Sequence, residues 1–237
     1  MDVERATSRL MHTDQGRGPV VVLLHGFPLH RGMWVEQLDA LSELYRVIAP
    51  DLRGYGGNPG LDPTAEDAIL TVEDFARDVL ALLDELGITE PVTVGGLSMG
   101  GYVAMALADL APERVRALML FDTRPEADSP EVAQRRETQA SAVLAAASAE
   151  PIAATMLPLL LADSTVAEQP ELARATVEMM KAAKPTTIAA TLRGLARRPD
   201  RSEILRNLRR PTLIVVGEKD AITPPTVAEA MARRIAD

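Results

Sequence analysis

The 237-residue chain contains no cysteine. Disulfides, thiolate nucleophiles, iron–sulfur clusters and Cys-based zinc sites are therefore excluded, and a reducing cytoplasm is the expected compartment. Aromatic residues are almost as scarce, at 3% of the chain, and none follows Phe121. Base-stacking platforms need aromatics. The formal net charge of −9 also denies the chain a broad basic surface, so no nucleic-acid partner is expected. No apolar run reaches the ~18 residues of a spanning helix, so no membrane partner is expected either. The longest candidate, Pro151 to Ala162, is interrupted by Pro158. The opening Asp2, Glu4 and Arg5 lack the basic-then-apolar order of a signal peptide. Histidine is nearly absent too: His12, His25 and His30 are the 3 in the chain.

What is present fits a globular α/β protein. Hydrophobic residues make up 47% and charged residues 25%, values of an ordinary soluble domain. Short continuous apolar runs at Val20–Leu24, Arg46–Pro50, Pro91–Gly95 and Val115–Phe121 read as strands buried on both faces, as in a parallel sheet. Helical spacing separates them at Trp34–Leu44, Val72–Leu86 and Ser98–Ala111. The alternation stops after Asp122. An Ala- and Leu-rich stretch without strand signal predicts helices near 131–149, 151–161, 171–183 and 185–198. The sheet resumes at Thr212–Val216, and a helix follows from about Pro224 with Thr223 placed to cap it. The expected organisation is an α/β core over 1–123, a helical cap over 124–208, and the core continued over 209–237. The arginines from Arg193 to Arg210 read as a solvated helix face.

The strongest chemical signal is Gly96-Leu97-Ser98-Met99-Gly100, a G-x-S-x-G between a predicted strand and a predicted helix. A serine exposed on a tight strand-to-helix turn needs small residues two positions before and after it, because the two backbones pass close together there. Ser98 is thus the candidate nucleophile. The plainer alternative is a Gly-rich turn with Ser98 as helix cap. His25-Gly26-Phe27-Pro28 ends the first apolar run, where the Phe27 N–H can join the Met99 N–H as an oxyanion hole. His25 reads as a structural histidine that shapes this loop, and His30 as a loop residue. Asp220, in Gly217-Glu218-Lys219-Asp220, is the preferred acid to orient a base, with Asp122 the alternative; both follow predicted strands. No G-x-G-x-x-G and no G-x-x-x-x-G-K-[ST] occurs, so dinucleotide and nucleotide sites lack their fingerprints. His25 and His30 are not helically spaced, and no metal is expected.

These motifs, with Asp51-Leu52-Arg53-Gly54-Tyr55-Gly56, resemble the α/β-hydrolase family, in the branch of small carboxylesterases, enol-lactonases and cofactor-free perhydrolases. The resemblance implies a mostly parallel sheet with a helical cap insert and no cofactor. It implies Ser98 as nucleophile, Asp220 as acid, and Phe27 and Met99 as oxyanion donors. The expected substrate is a small apolar ester or lactone, cleaved through an acyl-Ser98 intermediate. The competing function is a non-catalytic protein holding a small apolar ligand. One departure stands out. The family places its catalytic histidine after one further strand and before a last helix, roughly 30 residues at typical element lengths. The chain is expected to end before them, to be impaired as a catalyst, and to associate through the sheet edge so exposed.

Overall fold

The computed structural model describes residues 10–62 and 64–235; the N-terminal reading at Asp2, Glu4 and Arg5 lies outside them. Six strands form one sheet: β1 His12–Gln15, β2 Val20–Leu24, β3 Arg46–Pro50, β4 Val92–Leu97, β5 Val115–Phe121 and β6 Thr212–Val215, in the order β1-β3-β2-β4-β5-β6. All neighbours run parallel except β1 and β3. Side chains alternate between the two faces. Val21, Leu23, Val47 and Ala49 pack with Trp34 and Leu38, at and within helix α1 (Val35–Leu41). Val22, Leu24 and Ile48 pack into the larger core with α2 (Val72–Glu85) and α3 (Met99–Leu110). This two-sided burial is why these strands read as unbroken apolar runs. Thr71 and Asp74 close α2 with a reciprocal capping box.

Between β5 and β6 lie α4 (Pro130–Ala146), α5 (Glu150–Leu160), α6 (Asp163–Glu168), α7 (Pro170–Lys181), α8 (Pro185–Ala196) and α9 (Ser202–Asn207); α10 (Pro225–Ala232) follows β6. The register sets the working end of the sheet. Leu24 pairs with Gly96, Leu97 with Phe121, and Phe121 with Val215. The residues just after these strands therefore stand side by side at the carboxyl ends, where open α/β sheets place their sites.

Two sequence expectations need correction, on Thr223 and on the arginine run, and three elements carried no sequence signal. β1 has no apolar alternation; its polar residues hold by pairing with β3 and by the two-toothed Arg46–Asp14 ion pair, at 2.9 and 2.6 Å. The short helices α6 and α9 also carried no signal. Thr223 does not cap α10, whose N-cap is Pro224. Its hydroxyl donates to Asp220 Oδ2 at 2.7 Å instead. The arginine run is not uniformly solvated: Arg198 and Arg201 are buried. Arg198 pairs with Asp128 at 2.6 Å and lies 4.2 Å from the centre of the Tyr102 ring, and Arg201 pairs with Glu73 and Asp109. Helical spacing could not show this, because the partners come from other elements.

Candidate active site

Ser98 links β4 to α3 with φ 50° and ψ −109°, a left-handed conformation disfavoured for a residue with a Cβ. The strain is held from several sides. Ser98 N donates to Phe121 O at 2.9 Å, and Ser98 O accepts from Gly101 N at 2.9 Å and from Thr123 Oγ1 at 2.9 Å. The flanking glycines are required by contact. A Cβ on Gly96 would stand 2.1 Å from the carbonyl of Gly100, and one on Gly100 would stand 2.2 Å from Leu24 O. The capping alternative for Ser98 fails, because its side chain makes no cap hydrogen bond to α3. Its hydroxyl is left to the cavities above the sheet.

Two cavities meet at Ser98. One of about 430 Å³ is lined by Ser98, Asp122, Asp220, Thr223 and the end of α5 around Leu160. The other, about 510 Å³, is lined by Ser98, Met99, Phe27, Met156 and the α4 face carrying Arg135 and Gln139. Among the described residues neither the Phe27 nor the Met99 N–H has a hydrogen-bond acceptor. Both are thus available to an anionic oxygen, and the Met99 N–H also belongs to the unpaired first turn of α3.

The two candidate acids sit together. Asp220 Oδ1 accepts from Ile222 N at 2.7 Å and from Thr223 N at 2.9 Å. Burial opposes its ionisation, but these bonds and the Thr223 hydroxyl outweigh burial and hold the carboxyl below its ordinary range. Asp122, at φ 45°, accepts from Gly217 N at 2.7 Å. Burial raises its pKa, against the Gly217 bond, and the neighbouring Asp220 charge raises it further. The two carboxyls are thus shifted in opposite directions, Asp220 toward the ionised form and Asp122 toward the protonated one.

No histidine lines either cavity. His25 is fully buried with both ring nitrogens in use: Nδ1 lies 2.9 Å from Gly26 O, and Nε2 accepts from Leu52 N at 2.9 Å. Burial depresses its pKa to about 4, so the ring is neutral and fixed. His30 accepts from Gly32 N through Nδ1 and starts a short 3-10 turn. His12 Nδ1 is bonded to Leu10 O. Among the described residues no group of three or more His, Asp or Glu could hold a metal ion, and no helix is long and apolar enough to cross a membrane.

A match to the alpha/beta hydrolase fold description covers residues 19–237. The chain belongs to the alpha/beta hydrolase family. Among solved members, a thermophilic esterase from Thermogutta terrifontis, in its malate-bound structure, is 41% identical, with a TM-score of 0.88 over 95% of this chain and 81% of that one. The 3-oxoadipate enol-lactonase 1 of Acinetobacter baylyi is 29% identical over 92% of this chain and 77% of its own. Epoxide hydrolase 3 of Siraitia grosvenorii is 44% identical over 105 residues, 44% of this chain and 32% of that protein. The chain thus spans about a third of the length of the Siraitia grosvenorii epoxide hydrolases, at 32% of each.

Within this alpha/beta hydrolase the sequence reading missed the polar wall of the larger cavity: Arg124, Asp128, Arg135 and Gln139. The available signal was the spacing of Val132, Arg135 and Gln139 on one face of α4. Met156 and Leu160 line the cavities and also join Leu157, Met179 and Met180 in an aliphatic cluster around Leu29.

Proposed function

We propose that the chain is a serine hydrolase of small carboxylic esters or lactones, acting through an acyl-Ser98 intermediate. The observation that carries this reading is Ser98 itself: it is strained, unused as a cap, and open to two cavities beside two unpaired N–H groups. The Ser98 oxygen attacks the carbonyl carbon. The carbonyl oxygen gains negative charge and moves onto the Phe27 and Met99 N–H groups, where loss of one such donor typically costs ~10²–10³ in rate. The C–O bond to the alcohol or ring oxygen breaks, and that oxygen takes up the proton given up by the Ser98 hydroxyl; water then adds its oxygen to the acyl carbon and returns a proton to Ser98 as the acyl-serine bond breaks. Asp220 is the preferred acid to orient a base, with Asp122 the alternative. The esterase and enol-lactonase relatives, which align along most of the chain, support ester or lactone chemistry over epoxide opening. Cofactor-free perhydrolysis would use the same acyl-Ser98 intermediate. The non-catalytic ligand-binding reading draws on the missing imidazole beside Ser98.

A fluorophosphonate reagent should phosphonylate Ser98, identified by peptide mapping, and Ser98→Ala should abolish the adduct. An adduct that survives the substitution, or none at all when imidazole is supplied as base, overturns the assignment.

A further inference from the structure

We propose that the ester or lactone cleaved at Ser98 carries a carboxylate on its acyl side, held by Arg135 and Arg124 across the larger cavity. The proposal rests on the Ser98 reading and narrows its substrate class. Ser98 stands between cavities of opposite charge. The smaller one is lined by Asp122, Asp163 and Asp220 against Lys219 alone. The larger is lined by Arg124, Arg135 and Arg136 against Asp128 alone. In a chain of net charge −9, a cavity dominated by cations is a local construction rather than background.

The single acid of the cationic side is already taken. Asp128 joins Arg136 Nε at 2.5 Å and the buried Arg198 at 2.6 Å. Arg135 has no ion pair or hydrogen-bond acceptor among the described residues, and Arg124 uses one nitrogen on Ile222 O. Both residues line the cavity and keep unused guanidinium donors, and a guanidinium fork matches a carboxylate with two parallel bonds. Gln139 adds an amide on the same α4 face. The same cavity is also lined by the aliphatic Met156, Leu159 and Leu192, which suits a short methylene chain. Phe27 and Met99 line this same cavity, so an acyl group anchored on the arginines presents its carbonyl to their N–H groups. The acidic cavity repels a carboxylate and is left to the departing alcohol. Arg135 is exposed, so water and salt compete with the bound carboxylate and its contribution is salt-sensitive.

The test compares monomethyl glutarate with uncharged methyl pentanoate on the purified full chain, by calorimetric binding and, with imidazole supplied as base, by methanol release. At low salt the anion should bind about tenfold tighter. That preference should shrink at high salt, collapse in Arg135→Gln and Arg124→Gln, and be largely retained in Arg135→Lys. Ser98→Ala should stop methanol release and keep the binding preference. Equal binding of the two esters, or a preference untouched by both glutamine variants, overturns the carboxylate site. Methanol release that persists in Ser98→Ala overturns the nucleophile and leaves the carboxylate site standing.

Discussion

The 237-residue chain should hydrolyse p-nitrophenyl acetate and butyrate only feebly, and added imidazole should raise that part of the rate which Ser98→Ala removes. A serine hydroxyl is a weak nucleophile until an adjacent base takes its proton. No histidine lines the cavities at Ser98: His25 uses both ring nitrogens on Gly26 and Leu52, and His12 and His30 use Nδ1 on Leu10 and Gly32. In subtilisin, removing the catalytic histidine costs ~10⁶ in kcat, and the oxyanion hole and binding retain ~10³–10⁴ over water. The same remainder is expected here. Steady-state assays of the chain and its Ser98→Ala variant, with and without imidazole, measure it. A turnover near the ~10 s⁻¹ of ordinary enzymes, indifferent to imidazole, would show that another group acts as base. Asp122, the more proton-ready member of the acid pair, is then the first to replace.

The elbow was legible in the sequence because its residue types are fixed by contact. Gly96 and Gly100 stand where strand and helix backbones leave no room for a Cβ, so the requirement is written in five adjacent letters. The parallel strands were legible for a related reason: burial on both faces demands unbroken apolar runs. β1 was not, because pairing with β3 rather than composition makes His12–Gln15 a strand. Nor was the cationic wall. Arg135 sits in a helix whose sequence reads as an ordinary solvated one, and only the docking of α4 over the sheet turns that face toward Ser98. Arg198 and Asp128 are likewise joined only by the packing of α8 near the start of α4.

Folding stability should fall by about 3 kcal/mol as the pH drops from about 6.5 to about 4, through His25 alone. Burial is the main cause of its depressed pKa, opposed by the Gly26 carbonyl and the Asp51 charge, and the folded value is about 4 against 6.5 for the free side chain. Above 6.5 the ring is neutral in both states and contributes no pH dependence. Below it the unfolded chain binds a proton that the folded chain refuses, so unfolding gains with each further pH unit until the folded ring also titrates. Asp220 and Asp128 are held low in the fold, and lose their contribution as the pH falls through still lower values. Asp122, raised in the fold, works in the opposite direction and offsets part of the loss. Urea unfolding at a series of pH values measures the slope, and His25→Asn should flatten it. An unchanged slope in that variant would assign the acid lability to other groups.

The six helices between β5 and β6 are not equally anchored. α8 is fastened to the core loop before α2: Tyr55 donates to Thr191 at 2.8 Å, Leu70 N to Ala190 O at 3.0 Å, and Leu61 N to Thr187 Oγ1 at 3.0 Å. A Cβ on Gly194 would stand only 1.7 Å from Leu70 O. By contrast α5 and α7 each bury two residues, and α6 none. The walls of the larger cavity are therefore anchored unequally: Leu192 comes from a helix tied to the core, and Met156 and Leu159 from a helix held by two buried residues.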